Sequence, residues 1–286
     1  MWENVKRVFR GCGWLGAGCR LEDRRLVRLL SRTFGIVPVL ACCVVVLSPN
    51  CSVAQPEVPD STNRPAAPAV VIGFVGGFVH TDDLRHSEVQ LARQIRRSFS
   101  DRVQVRVFEN REQRQARSFV LDWLSGTEHK TRRGGASPGT PIILFGHSWG
   151  ASAAVSLARE LQQRGVPVSL VIQVDSISKA GEDNSVIPDN VAEAVNFYQP
   201  DGMLHGRSKI TAADPSRTKI LGNFRFKYEK EPTECRSYPW YDRLLFKGHT
   251  AIECDPTVWS QVENLIKVRL TDVSPSPQSV IATVAP

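Results

Sequence analysis

Apolar runs without charge alternate along this chain with stretches whose apolar positions recur at helical spacing. Ala69–Phe74 (AVVIGF), Val103–Phe108 (VQVRVF), Pro141–Phe145 (PIILF) and Val166–Val174 read as strands, three of them buried on both faces. Between them, Ser87–Phe99 predicts a helix with Val89, Leu91, Ala92 and Ile95 facing inward, followed by helices over Ala116–Leu124 and Ser152–Gln163. Asn190–Ala194 is expected as a short helix and Val195–Gln199 as a short fifth strand. A last helix is well signed. Asp255 suits the N-cap, Pro256 suits the first helical position, and Val258, Trp259, Val262, Leu265 and Ile266 share one face. Continuous apolar strands separated by helices predict an α/β domain: a mostly parallel central sheet with helices on both faces.

The ends of the chain differ from this pattern. Residues 34–47 (FGIVPVLACCVVVL) carry no charge, follow a basic stretch and precede Ser52-Val53-Ala54. That is the order of a signal peptide, and the run is short for a membrane span, which needs about 20 residues. Residues 1–54 are therefore expected to be a signal peptide or membrane anchor, with cleavage after Ala54. A lipoprotein anchored through Cys42 is the other reading, and membrane association would come through this segment. Residues 55–68 (QPEVPDSTNRPAAP) read as a linker, 69–270 as the folded domain and 271–286 as a flexible tail.

Charge and cysteine content follow this division. Five of the seven net positive charges come from residues 1–54, so the high pI gives no reason to expect nucleic acid as a partner. Five of the seven cysteines lie in the same segment, leaving Cys235 and Cys254. In an oxidising compartment that pair reads as one disulfide, and secretion or periplasmic export is the expected destination. Two buried free thiols are the alternative.

The candidate chemistry begins at Gly146-His147-Ser148-Trp149-Gly150, where a strand pattern ends and a helix pattern begins. A nucleophile elbow needs G-x-S-x-G at such a junction, because a serine on so sharp a turn tolerates only small neighbours. Ser148 is the candidate nucleophile. Trp149 offers one backbone N–H to an oxyanion, and Gly76, Gly77 or Phe78, just after the first strand, offers the second. The base must be a histidine. His249 precedes the last helix, in a stretch expected to be a loop reaching back over the sheet edge, and His205 is the next candidate. His80, His86 and His129 precede the serine, and His147 is adjacent to it and expected to point elsewhere on the elbow. For the acid, Asp175 ends a long strand, whereas Asp201 follows the next, short one; both stay open, with Asp175 preferred.

With the GHSWG elbow, the FVGGF loop and the order Ser148, Asp175, His249 in place, the chain resembles the α/β-hydrolase superfamily, on its lipase, esterase and thioesterase side, over residues 69–270. The resemblance implies an acyl-enzyme hydrolase acting on a small-molecule or lipid ester or thioester, with no cofactor and no metal. It places the acid after the strand beyond the one carrying Asp175 more often than at Asp175 itself. A catalytically silent binding protein and an acyltransferase using the same three residues are the alternatives. Cys235 and Cys254 would enclose His249. The aromatic residues between 200 and 247 would wall an acyl pocket or simply pack the domain.

Overall fold

The strands expected from the apolar runs lie side by side in one sheet. In the computed structural model, residues 68–99, 103–126, 139–179 and 181–271 are described. The expected leader, nearly all of the linker and of the tail, and His129 lie outside them. Among the described residues no helix is long and apolar enough to cross a membrane.

In chain order the elements are β1 (Ala69–Val75), α1 (Ser87–Ser98), β2 (Val103–Glu109), α2 (Gln113–Ser125), β3 (Ile142–His147), α3 (Trp149–Gln162), β4 (Val168–Val174), β5 (Val186–Ile187), β6 (Val191–Tyr198), β7 (Thr211–Ala212) and β8 (Lys219–Arg225). A 3-10 turn (Thr233–Ser237) and helices α4 (Trp240–Leu245), α5 (Lys247–Cys254) and α6 (Pro256–Thr271) follow. Six strands form a sheet in the order β2-β1-β3-β4-β6-β8, and every pairing in it is parallel. β5 and β7 form a separate two-stranded ribbon.

Two cores sandwich the sheet. On one face α2 and α3 bring Ala116, Val120, Trp123, Leu157 and Leu161 onto Val70, Ile72 and Leu144. On the other, α1 and α6 bring Leu91, Ile95, Val258, Val262 and Ile266 onto Val71, Ile143, Phe145 and Ile172. Every residue of β1 and β3 is buried, which explains their unbroken apolar sequence.

The expected short helix at Asn190–Ala194 is not there. Val-Ala-Glu-Ala has acceptable helix formers, but β6 is inserted between β4 and β8, and sheet pairing overrides a weak local preference. Asn190 instead donates from Nδ2 to the carbonyls of Ala158 and Val166, tying the end of α3 to the strand start (3.0 and 2.9 Å). Six elements were not expected at all: the two strands of the β5–β7 ribbon, edge strand β8, the 3-10 turn, α4 and α5. The last helix starts as read, with the Thr257 N–H donating to Asp255 Oδ1 at 2.7 Å.

The topology places the site. From β1 the chain crosses to β2 on one side, then returns to β3 on the other, so the connections leaving β1 and β3 diverge. Such a switch point opens a crevice at the carboxyl ends of the strands. The Gly76-Gly77-Phe78 turn follows β1 there, and Ser148 follows β3.

Candidate active site

Ser148 sits between β3 and α3 with φ 57° and ψ −125°, a conformation that costs a non-glycine residue on the order of 1–3 kcal/mol. Its surroundings hold it there. Its N–H donates to the Val174 carbonyl (3.0 Å), and its own carbonyl accepts from Ala151 at the start of α3 (3.1 Å) and from Ile177 beyond β4 (3.3 Å). The flanking glycines are required by contact. A Cβ on Gly146 would stand 2.5 Å from the Gly150 carbonyl carbon, and one on Gly150 would stand 2.2 Å from the Phe74 oxygen. The helix can start this close to the sheet only because those side chains are missing.

The turn after β1 is packed onto the serine. A Cβ on Gly76 would lie 3.0 Å from Ser148 Cβ. The Val79 N–H closes the turn onto the Gly76 carbonyl at 3.2 Å, with Gly77 (φ 47°) and Phe78 at its centre. Asn110 Nδ2 donates to the Gly77 carbonyl (2.6 Å), bracing the turn from the end of β2. The Phe78 ring is exposed and meets the Trp149 ring edge-on, 5.8 Å between centroids.

His249 and Asp175 are brought together. His249 Nδ1 lies 2.7 Å from Asp175 Oδ2. An ionised carboxylate only accepts, so Nδ1 carries the proton and Nε2 is the nitrogen left to act as base. Burial alone would raise the Asp175 carboxyl. Hydrogen bonds from His249 and Gln199 outweigh it and hold the group below the ordinary carboxylate value. Gln199 gives Oδ2 a bond from Nε2 (2.8 Å), and the Gly206 N–H gives Oδ1 another (2.8 Å). Asp175 is itself at φ 43°, in the left-handed region. The other candidate acid, Asp201, is exposed, and its N–H donates to Gln199 Oε1 (2.7 Å). It lies on the far side of the glutamine that holds Asp175.

His249 lies in a helix, not the expected loop. Helix α5 is fitted tightly: a Cβ on Gly248 would meet Gln199 Oε1 at 2.3 Å and the Asp201 carbonyl oxygen at 2.8 Å. At its far end Cys254 is joined to Cys235 of the 3-10 turn, with Cα atoms 5.3 Å apart. The bridge spans the segment that carries His249.

The remaining histidines divide by surroundings. His80 pairs with Glu109 at the surface (2.9 Å). His205 lines an open concavity of about 420 Å³ with Ser176, Ile177 and Arg207, beside the acid. His147, expected to point elsewhere, stacks on His249 with 4.4 Å between ring centroids. Its burial pushes its pKa down to about 4, so the ring beside His249 is neutral. His86, at the start of α1, hydrogen-bonds through Nδ1 to Glu253, which follows His249 by one turn of α5. Sequence reasoning missed Gln199, Gly206, Glu88 and Glu253. The i, i+4 spacing of His249 and Glu253 was the one signal available for any of them.

The aromatic segment mostly packs. Phe224 and Phe226 lie against Phe197, and the Tyr228 hydroxyl donates to Asp255 Oδ2 (2.8 Å). Trp240 and Leu244 of α4 stay about 70% exposed (71% and 70%).

A parallel sheet sandwiched by helices, with a strained serine at the turn after β3 and an acid–histidine pair from later elements, decides the architecture. The fold is that of the α/β-hydrolases. A family model, the thioesterase domain, matches residues 131–195, the stretch that contains the elbow, α3 and β4. No curated protein matches the sequence. Among solved structures, this chain is similar to the RedJ thioesterase from the prodiginine biosynthetic pathway in Streptomyces coelicolor, at 13% identity over 77% of this chain and 97% of that one, with a TM-score of 0.35. It is also similar to RedJ with a PEG molecule bound in the active site (14% identity, 71% and 95% covered, TM-score 0.31). The NocB thioesterase domain from the nocardicin cluster is a third (13% identity, 72% and 94% covered, TM-score 0.33).

Proposed function

We propose that the chain is a serine hydrolase of thioester or ester bonds that works through Ser148, His249 and Asp175. The observation that carries this reading is the His249–Asp175 hydrogen bond formed beside a serine held in the elbow conformation. That bond orients the imidazole and leaves Nε2 as base. The match of residues 131–195 to the thioesterase domain favours thioesters within the class.

In this reading His249 Nε2 takes the Ser148 hydroxyl proton as Oγ attacks the substrate carbonyl carbon. The oxyanion is held by backbone N–H groups of Trp149 and of the Gly77-Phe78 turn, which Asn110 braces. The same proton passes from His249 to the departing thiolate or alkoxide, leaving an acyl-serine. Water then attacks the acyl carbon, giving its proton to His249, and the acid leaves as Ser148 recovers its hydrogen. Asp175 stays ionised throughout and stabilises the imidazolium. The steps need no cofactor.

Export is part of the proposal. It rests on the basic-then-apolar order of residues 24–54 and on the Cys235–Cys254 disulfide, which an oxidising compartment sustains. Mass spectrometry of the exported protein should find Gln55 as its first residue.

The deciding experiment is fluorophosphonate labelling of wild type and Ser148→Ala, run with matched acyl-thioester and nitrophenyl-ester series. Labelling confined to the wild type with turnover of either series is expected. A folded wild type that neither labels nor turns over any acyl substrate would instead make the fold a silent binder. Faster acyl transfer to an added alcohol than to water would make it an acyltransferase.

A further inference from the structure

A second group of ionisable side chains closes behind the elbow, and the hydrolytic steps make no use of it. Three separate elements supply it. His86 and Glu88 stand at the start of α1, His147 at the end of β3, and Glu253 on α5. His86 Nδ1 is bonded to Glu253 Oε1. The other Glu253 oxygen, Oε2, lies 3.5 Å from His147 Nδ1, and Glu88 Oε1 lies 4.0 Å from that same nitrogen. The donor atoms of His86, Glu88 and Glu253 all fall within 4.8 Å of one another.

Glu88 is the anomaly. It is wholly buried, and neither of its carboxyl oxygens has a hydrogen-bond partner in the protein. Burial, and after it the neighbouring Glu253 carboxylate, push its pKa up to about 8, against the smaller opposing pull of His86 and of the N–H dipoles of Glu88 itself and Gly76, which make no hydrogen bonds of normal geometry with it. A carboxyl sealed in this way beside a second buried carboxyl is costly, because the hydrogen bonds it gave up to water are not replaced. A cation held between the two carboxylates removes both costs together.

We propose that His86, Glu88 and Glu253, with His147 Nδ1 completing the shell, bind one divalent metal ion of the zinc type. Zinc bonds to nitrogen and oxygen run about 2.0–2.2 Å, which sets neighbouring donors of a tetrahedron about 3.3 Å apart. The 3.5 and 4.0 Å from His147 Nδ1 to Glu253 and Glu88 reach that value with shifts under an ångström, and the donors of His86, Glu88 and Glu253, up to 4.8 Å apart, reach it by closing in by up to about 1.5 Å. Two imidazoles beside two carboxylates select zinc-like ions over calcium or magnesium, which take oxygen donors. The ion would tie together the helix after the Gly76 turn, the strand that ends at the elbow, and the helix that carries His249. Its place is structural, and it holds whether or not Ser148 is a nucleophile.

The test uses the full chain with its disulfide oxidised and its free thiols alkylated, so that cysteines do not compete for zinc. After dialysis against chelator, ZnCl2 is titrated calorimetrically into wild type, Glu88→Gln and Glu253→Gln, with CaCl2 as a second arm. Melting temperatures are measured with and without zinc. The expected result is one zinc per wild-type chain, an affinity at least about 10–100-fold weaker in each variant, and a zinc-dependent rise in melting temperature seen in the wild type alone. X-ray absorption of the loaded wild type should show a nitrogen and oxygen shell that includes imidazole. Absence of stoichiometric zinc on the wild type would overturn the proposal without recourse to any variant. So would zinc binding that both variants retain in full, or binding of calcium in preference to zinc.

Discussion

The two halves of the candidate site are held in different ways. Ser148 follows β3 near the centre of the sheet, where β3 and its neighbour β1 have every residue buried, and is fixed by close contacts at Gly146, Gly150 and Gly76. Asp175 and His249 are held largely by polar contacts. Gln199 and the Gly206 N–H grip the carboxylate, and α5 is pinned by close contact at Gly248 and by the Cys235–Cys254 bridge. The elements α4, which packs on α5, and β8, at the sheet edge, leave much of their surface exposed. The nucleophile depends on shape, the acid and base on specific partners. Shape is lost through added volume, partners through deleted atoms.

Substitutions can break this contrast. The largest effect is expected for Ser148→Ala, which should lower kcat by up to about 10⁶-fold while leaving the melting temperature nearly unchanged, read by steady-state kinetics and calorimetry. Asp175→Asn should follow, with a loss of about 10⁴-fold in kcat, since an amide cannot hold the Nδ1–H tautomer. Asp201→Asn, assayed beside it, should stay within about twofold; a loss comparable to that of Asp175→Asn would move the acid to Asp201. On the shape side, Gly150→Ala should cost about 1–3 kcal/mol or more in denaturant unfolding, because its methyl meets the Phe74 carbonyl and not a side chain that can yield. Opening the bridge with Cys235→Ser and Cys254→Ser together should cost about 3 kcal/mol. That pair should lower activity less than Gly150→Ala does at a temperature where each protein remains folded, because the added methyl displaces the nucleophile itself. Smallest of all, Trp240→Ala on exposed α4 should change stability by no more than about 0.5 kcal/mol.

What could be read in advance follows the same line. β1, β3 and β4 were legible because both of their faces are buried, so their sequences are dominated by apolar residues, with only Ser169 and Gln173 interrupting the run in β4. β6 was half misread, since Val-Ala-Glu-Ala becomes a strand only through its neighbours. β8 (KILGNFR) was missed because an edge strand with polar positions carries no such run. Ser148, Asp175 and His249 could be nominated from motif and order. The choice between Asp175 and Asp201 could not, because it turns on Gln199, whose side chain reaches back to one carboxylate while its Oε1 accepts from the backbone of the other residue. Glu88 and Glu253 were invisible for a plainer reason: they stand at opposite ends of the domain sequence, and only the closing of the sheet brings them near each other.

Helix α5 has a consequence for how this protein can change. His249 and Glu253 are four residues apart on an eight-residue helix, so one face of it serves both Asp175 and the cluster with His86. A short helix rotates or slides as a lever, and a substitution that reseats Glu253 moves the imidazole as well. The two ends are therefore not free to drift apart. Tolerated changes around His86 and Glu88 should come paired with changes around Gln199 and Gly248, leaving a record of covariation between regions that never touch.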